Sequence, residues 1–283
     1  MVAVCALVAC GDDSMMTTEP DAAVGPDGIT CTKPALDAPW LSSLLETAIT
    51  TIPSPRATTI QRSAARTFLQ SQLTQMGWTP QLHSYNSGAN VYATIPATTP
   101  NTQAIIVGAH FDTVMSSPGA NDNGTGVAAV LAIARYLVDM PCRQHPVTII
   151  LFDEEETGLV GAVAYASTLT AAIVHAVHTV DQIGWDNDGD HRFELEFPTT
   201  ALEAEYRAAA MVVGVPVTKT TTQGTDHEAF RDRGLPAIGL TEEYVGGDTS
   251  PYRHLTQDTA ATVDRGYLAL GAKLVAQVVM SEL

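Results

Sequence analysis

The sequence predicts a three-layer α/β fold, a mostly parallel mixed sheet with helices on both faces. Three observations lead to it. Short runs rich in β-branched residues alternate along the chain with longer segments whose apolar residues recur at helical spacing. Several of the short runs are apolar throughout, as strands covered on both faces must be. No internal repeat or second-domain boundary interrupts the alternation.

Apolar spacing predicts helices over 35–51 and 58–76, separated by Pro53 and Pro55, with Gly77 as the stop after the second. Short β-branched runs predict strands over 91–95 and 104–108. A helix over 124–140, a strand over 147–152 and a helix over 158–169 follow. Strands over 173–180 and 192–197 come next, then a helix over 199–213 and a strand over 215–219. A short helix over 226–233, a strand over 237–241 and an amphipathic helix over 264–280 complete the reading.

Composition removes some functions. Lys+Arg is 14 against Asp+Glu of 31, a net charge of −17, which argues against a nucleic-acid partner because phosphate neutralisation needs clustered cations. Beyond the N-terminus no apolar run is long enough to span a bilayer. Residues 1–9 are almost wholly apolar and read as a signal segment, although no Lys or Arg precedes the run. Leu7-Val8-Ala9-Cys10 resembles a bacterial lipoprotein cleavage box with Cys10 as the lipidated residue, and residues 10–34 read as a flexible linker. The expectation is an exported protein, tethered to a membrane only through Cys10. Of the remaining cysteines, Cys31 and Cys142 either pair or stay as thiols.

In a parallel sheet ligands bind beyond the carboxyl ends of the strands. His110-Phe111-Asp112 follows one predicted strand, Asp153-Glu154-Glu155-Glu156 another and Asp181 a third; His254 lies in the loop after the fourth, and Asp122 just before a helix. So many carboxylates at one edge would repel one another unless cations offset them. Two divalent ions resolve the charge, and mixed His and carboxylate ligands suit zinc. Asp122, between the two halves, is placed to bridge them. His110 and Asp112 stand two apart on extended backbone and face the same way, so Asp112 can orient the imidazole.

Six segments then occur in order: His110-Phe111-Asp112, the Gly119–Gly126 loop carrying Asn121-Asp122-Asn123-Gly124, Glu155-Glu156-Thr157-Gly158, Asp181-Gln182-Ile183-Gly184, Thr225-Asp226-His227 and His254-Leu255-Thr256-Gln257-Asp258-Thr259. Together they resemble the cocatalytic di-zinc peptidases that include bacterial leucyl aminopeptidases, with glutamate carboxypeptidase and glutaminyl cyclases as relatives. The resemblance runs from about residue 90 to the C-terminus. It implies a zinc-peptidase-like catalytic domain over 35–283 and two Zn2+ per chain. One ion would be held by His110, Asp122 and Asp181, the other by Asp122, Glu156 and His254. Glu155 would be the general base and Asp112 the partner of His110. Glu155 and Glu156 are told apart by Gly158, since the family pattern is Glu-Glu-x-Gly.

The activity so implied is removal of N-terminal residues from peptides with a free N-terminus, by a monomer. A carboxypeptidase or dipeptidase on the same metals is the alternative, with Arg253 as the candidate for a substrate carboxylate. A glutaminyl cyclase with one zinc is disfavoured because His110 completes a second set. Tyr244, Tyr252 and Arg253 lie near His254 as oxyanion candidates; the family often has Tyr immediately before this His, where Arg253 stands here.

Three further readings are weaker. Thr225-Asp226-His227-Glu228 forms a capping-box pattern, with Asp226 and His227 either supporting the site or only starting a helix. Asp186-Asn187-Asp188-Gly189-Asp190 resembles a Ca2+ loop but lacks the downstream Glu, so a solvated turn is preferred. His83, His145, His175, His178 and His191 carry no partner pattern and are read as structural or exposed.

Overall fold

The computed structural model describes residue 35, the backbone of residues 39 and 40, and residues 41–283. The proposed signal segment, the linker, Cys10 and Cys31 therefore lie outside the described residues. Cys142 is disulfide-bonded.

Two helices open the described chain, α1 (Pro39–Thr51) and α2 (Thr59–Gln75). Thr58 caps α2 in a full capping box, its hydroxyl accepting from the Gln61 N–H while the Gln61 side chain accepts from the Thr58 N–H. Ala65, Leu69 and Leu73 form the buried stripe of α2 at four-residue spacing. Three strands follow: β1 (Gln81–Ser84), β2 (Ala89–Ile95) and β3 (Ala104–His110). Next come α3 (Gly124–Val138), β4 (Val147–Phe152), α4 (Val160–Ala166) and β5 (Val174–Val180). The remainder is β6 (Phe193–Glu196), α5 (Thr200–Val213), β7 (Val217–Thr220), α6 (Asp226–Arg231), β8 (Ala237–Thr241) and α7 (Arg265–Glu282), with a 3-10 turn over Ala260–Thr262 before α7.

The eight strands form one sheet in the order β1-β2-β4-β3-β5-β8-β6-β7. Its centre, β4-β3-β5-β8, is parallel, and β6 also runs parallel to β7. The pairings β1-β2, β2-β4 and β6-β8 are antiparallel, so the sheet is mixed as expected and parallel where the ligand edge forms. Every residue of β4 and β8 is buried, in keeping with sequences that are apolar apart from Thr148 and Thr241. One face carries α1, α2, α3, α5 and α7 over a core that includes Leu69, Val107, Leu131, Ile149, Phe193 and Leu274. The other face carries α4 and α6 over a smaller core with Phe152, Tyr165 and Phe230.

The structure departs from the expected elements where tertiary pairing overrides local pattern. β1 has a polar, mostly exposed sequence and exists because Leu82 pairs with Val91 on the neighbouring strand. The helix expected over 158–169 is shorter because Gly158 (φ 107°) and Leu159 (φ 59°) occupy left-handed backbone that a helix cannot use. Replacing Ile149, fully buried in β4, by Ala should lower the unfolding free energy by about 2–5 kcal/mol, read as a drop in the urea midpoint at unchanged slope.

Candidate metal centre

The strand ends deliver the predicted residues to one place. His110 is the last residue of β3 and stands beside Phe152, the last of β4. Glu154 takes a left-handed turn (φ 61°), which divides the acidic run after β4. Asp153 and Glu154 turn toward α2, where Arg62 contacts both at 2.8 Å and Arg66 contacts Asp153 at 2.5 Å. Glu155 and Glu156 turn toward His110. The Asp112 carboxylate holds them there, accepting from the Glu155 N–H at 3.0 Å and the Glu156 N–H at 3.2 Å.

Asp122 is fixed by a matching device. Asp258 accepts from the backbone N–H groups of Asn121 (2.7 Å) and Asp122 (3.1 Å), and the Asp122–Asn123 peptide bond is cis. Asn123 caps α3 through Gly126 N–H (2.9 Å) and donates to the Val180 carbonyl (2.8 Å), joining this loop to the end of β5. A Cβ on Gly126 would sit 2.2 Å from Asn123 Oδ1, so only glycine allows that approach.

Two buried residues that carry no signal in the sequence tie the loops together. Arg56 donates to the carbonyls of Phe111, Pro118 (3.1 Å) and Gly119 (2.7 Å), pinning the chain between His110 and Asp122. Glu242, just past β8, accepts from Asn121 Nδ2 (2.9 Å), Trp185 N–H (3.0 Å), Thr249 Oγ1 (2.9 Å) and Ser250 N–H (2.8 Å). Burial still pushes Glu242 up to about 8.

At the centre, His110 Nε2 is 3.4 Å from Asp122 Oδ1 and 3.4 Å from Asp181 Oδ1. On the other side His254 Nε2 is 3.1 Å from both Asp122 Oδ2 and Glu156 Oε2. Glu155 Oε2 stands 3.9 Å from His110 Nε2 without belonging to either set. His110 Nδ1 lies 3.3 Å from the Asp112 carbonyl and 3.5 Å from its carboxylate, so the backbone oxygen is the nearer partner. The sets His110, Asp122, Asp181 and Asp122, Glu156, His254 each offer ligand atoms within 4.8 Å of one another. Asp122 is common to both.

Whether this set fits cations can be read from its own polar atoms. His110 Nε2, Asp122 Oδ2, Glu156 Oε1, Asp181 Oδ1 and His254 Nε2 are buried without a hydrogen-bond partner, an uncommon and costly state for native side chains. Burial pushes Glu155 up to about 10; His110 opposes the shift and Asp181, Asp226 and Glu156 add to it. Burial and Asp122 push Glu156 to about 7. Burial disfavours a charge on His110, yet Glu155, Asp181, Asp112 and Asp122 outweigh it and hold the ring protonated well above 6.5. The cluster thus keeps protons that divalent cations would displace, and imidazole with carboxylate is a donor set suited to zinc.

The neighbouring candidates separate. Asp226 is buried beside the cluster, and burial pushes it up to about 8. The predicted capping box is not formed: the Thr225 hydroxyl makes no cap and instead donates to Glu196 Oε2 at 3.0 Å, with His227 Nδ1 2.7 Å away. Arg253 Nε is 3.4 Å from Asp122 Oδ2, and its guanidinium lies 5.9 Å from the Tyr244 ring centroid. Tyr252 packs edge-on against Trp185. Asp186, Asp188 and Asp190 do converge. Their carboxylates, however, accept from the N–H groups of His191, Asp190 and Arg192 and so serve the turn itself. Of the other histidines, His178 is buried against Glu282 (3.1 Å), and His145 stacks on His175 with centroids 3.9 Å apart. His191 contacts Asp186, and His83 packs edge-on against Tyr165.

Comparison with known proteins decides the family. The model of peptidase family M28 matches residues 90–279. The chain belongs to that family. Leucine aminopeptidase 2 of Trichophyton rubrum is 30% identical over 203 residues, covering 62% of this chain and 41% of that protein. The probable lipoprotein aminopeptidase LpqL of Mycobacterium tuberculosis is 28% identical over 208 residues, covering 62% and 42%. The chain thus spans about two fifths of the length of the curated relatives it matches. Among solved structures, the Legionella pneumophila LapA aminopeptidase superposes with TM-score 0.77 at 22% identity, covering 88% of this chain and 69% of that one. BSAP, a zinc aminopeptidase from Bacillus subtilis, gives TM-score 0.64 at 23% identity, covering 69% and 50%. At those identities the structures speak for the M28 fold.

Two measurements follow from the charge balance. Zinc added to metal-free protein at about pH 7 should release about one proton or more per chain, seen by calorimetry in buffers of different ionisation enthalpy. Apparent affinity should rise with pH across this range, because protons on Glu155, Glu156 and His110 compete with the cation. Separately, Asp258→Ala should cost about 1–3 kcal/mol by leaving the Asn121 and Asp122 N–H groups unpaired, read from thermal melts.

Proposed function

We propose that this M28 protein is a zinc-dependent aminopeptidase that removes N-terminal residues from peptides. One observation carries the reading: a single carboxylate, Asp122, is shared by two complete sets of His and carboxylate donors, with Glu155 beside them and in neither set. His110 and Asp181 would complete one zinc site with Asp122, and Glu156 and His254 the other. Two bound zinc ions would polarise the scissile carbonyl and make water a stronger nucleophile at neutral pH.

The chain's own groups account for the proton traffic. Glu155 is the general base, taking a proton from the attacking water and returning it to the amine that leaves. Its backbone N–H is held on Asp112, so the carboxylate is presented at a fixed distance from His110. The shift to about 10 belongs to the cation-free cluster; positive charge beside the carboxylate lowers it and leaves a base that works near neutrality. The surrounding carboxylates favour a positively charged substrate N-terminus. A glutaminyl cyclase with one zinc is disfavoured, because both donor sets are complete.

The same proposal extends to the remainder of the chain. Residues 35–283 form the catalytic domain, acting as a monomer. Residues 1–9 direct export and Cys10 carries the lipid, a reading supported by the Leu7-Val8-Ala9-Cys10 pattern.

Glu155→Gln should keep the zinc content of the parent and lose about 100-fold or more in kcat on aminoacyl nitroanilides. N-acetylated substrates should resist cleavage, and a chelator should abolish turnover until zinc is restored. Full turnover by Glu155→Gln with zinc bound would remove Glu155 from its role.

A further inference from the structure

The ligand cluster is walled by carboxylates, yet one cation reaches it from the open side. Arg253 precedes His254 in the chain, its side chain is 41% exposed, and Nε approaches Asp122 Oδ2 at 3.4 Å. Its remaining guanidinium nitrogens hold no hydrogen bond to any described residue, and the Tyr244 ring lies 5.9 Å from the guanidinium carbon. The other nearby arginines are committed. Arg56 is buried and saturated by carbonyls, and Arg62 and Arg66 are held by Asp153 and Glu154. Among the described residues, Arg253 is the only Arg or Lys that pairs with a member of the two donor sets.

A planar guanidinium with free donors at the mouth of an acidic site is an anion receptor, suited to a carboxylate in a two-point contact. We propose that Arg253 recognises the free C-terminal carboxylate of the residue that follows the scissile bond, making dipeptides the preferred substrates. This rests on the aminopeptidase reading and narrows it. Chain geometry supplies the ruler. A dipeptide carries its carboxylate one residue beyond the reacting carbonyl, and each further residue of extended chain moves it out by about 3.3–3.6 Å. The guanidinium lies 3.4 Å from the carboxylate that the two donor sets share, a placement close to the reacting centre that suits the shortest substrate better than longer ones. An uncharged amide in the same position offers the guanidinium no negative charge to pair with.

The test compares a dipeptide such as Leu-Gly with its C-terminal amide on zinc-loaded full-length protein, in the parent, Arg253→Lys and Arg253→Gln. The parent should favour the free acid by about 10- to 100-fold in kcat/KM, mainly through KM. In Arg253→Gln that ratio should fall to about 1–3, and Arg253→Lys should restore part of it. Calorimetric binding of a dipeptide analogue with a reduced, uncleavable linkage should show the same acid-over-amide preference without turnover. A ratio near one in the parent, or a ratio unchanged in Arg253→Gln, overturns the assignment. An equal loss on acid and amide also overturns it and makes Arg253 an oxyanion or structural group. Preference for an acidic N-terminal residue in place of a free C-terminus overturns it as well. If the parent cleaves neither compound nor an aminoacyl nitroanilide, the aminopeptidase reading itself falls.

Discussion

Asp122 is buried between two histidines, and the repulsion among the carboxylates that share its end of the sheet sets the terms for the surrounding structure. Burial makes each ionised group costlier and each nearby like charge stronger, so the cluster answers by retaining protons on Glu155, Glu156 and Asp226 and by charging His110. Such an arrangement stores unfavourable energy that the fold must hold in check. The long parallel centre of the sheet, buried on both faces, provides the rigid base.

What holds the loops above that base is largely backbone amide on carboxylate. Asp112 takes two consecutive N–H groups from the Glu155 segment, and Asp258 takes two from the Asp122 segment. Each of these acids satisfies donors that would otherwise be buried unpaired, and in doing so aims the side chain of the residue it grips. Glu242 does the same for three loops at once. The acids around the centre therefore fall into two populations: those whose oxygens are occupied by the protein, and those whose oxygens are left bare.

The second population is legible in the sequence and the first only in part: Asp112 is read from its spacing to His110, whereas Glu242 carries no signal. His110, Asp122, Asp181 and His254 were legible from their places after apolar runs or in loops, whereas Glu156 was told from Glu155 only by the family pattern that Gly158 completes. Arg56 was invisible: most of its partners are carbonyls more than fifty residues away, and carbonyls carry no sequence signal. β1 was invisible for a related reason, since an exposed edge strand has no burial pattern and forms through its neighbour. At Thr225 the local signature was present but lost to a nonlocal partner, because Glu196 outcompeted the helix terminus for the hydroxyl. Glu154 shows the converse, where a left-handed residue that no propensity favours separates two pairs of acids with different tasks.

The arginines that secure this edge lie outside the segment that the family model matches. Arg56, Arg62 and Arg66 all precede residue 90, where the family match begins, yet they hold the loop after β3 and the acidic turn after β4. A fragment trimmed to the recognisable segment would keep every donor of the centre and lose the clamps that aim them. The segment that the family model matches is shorter than the segment that folds together, and the centre is held from outside it.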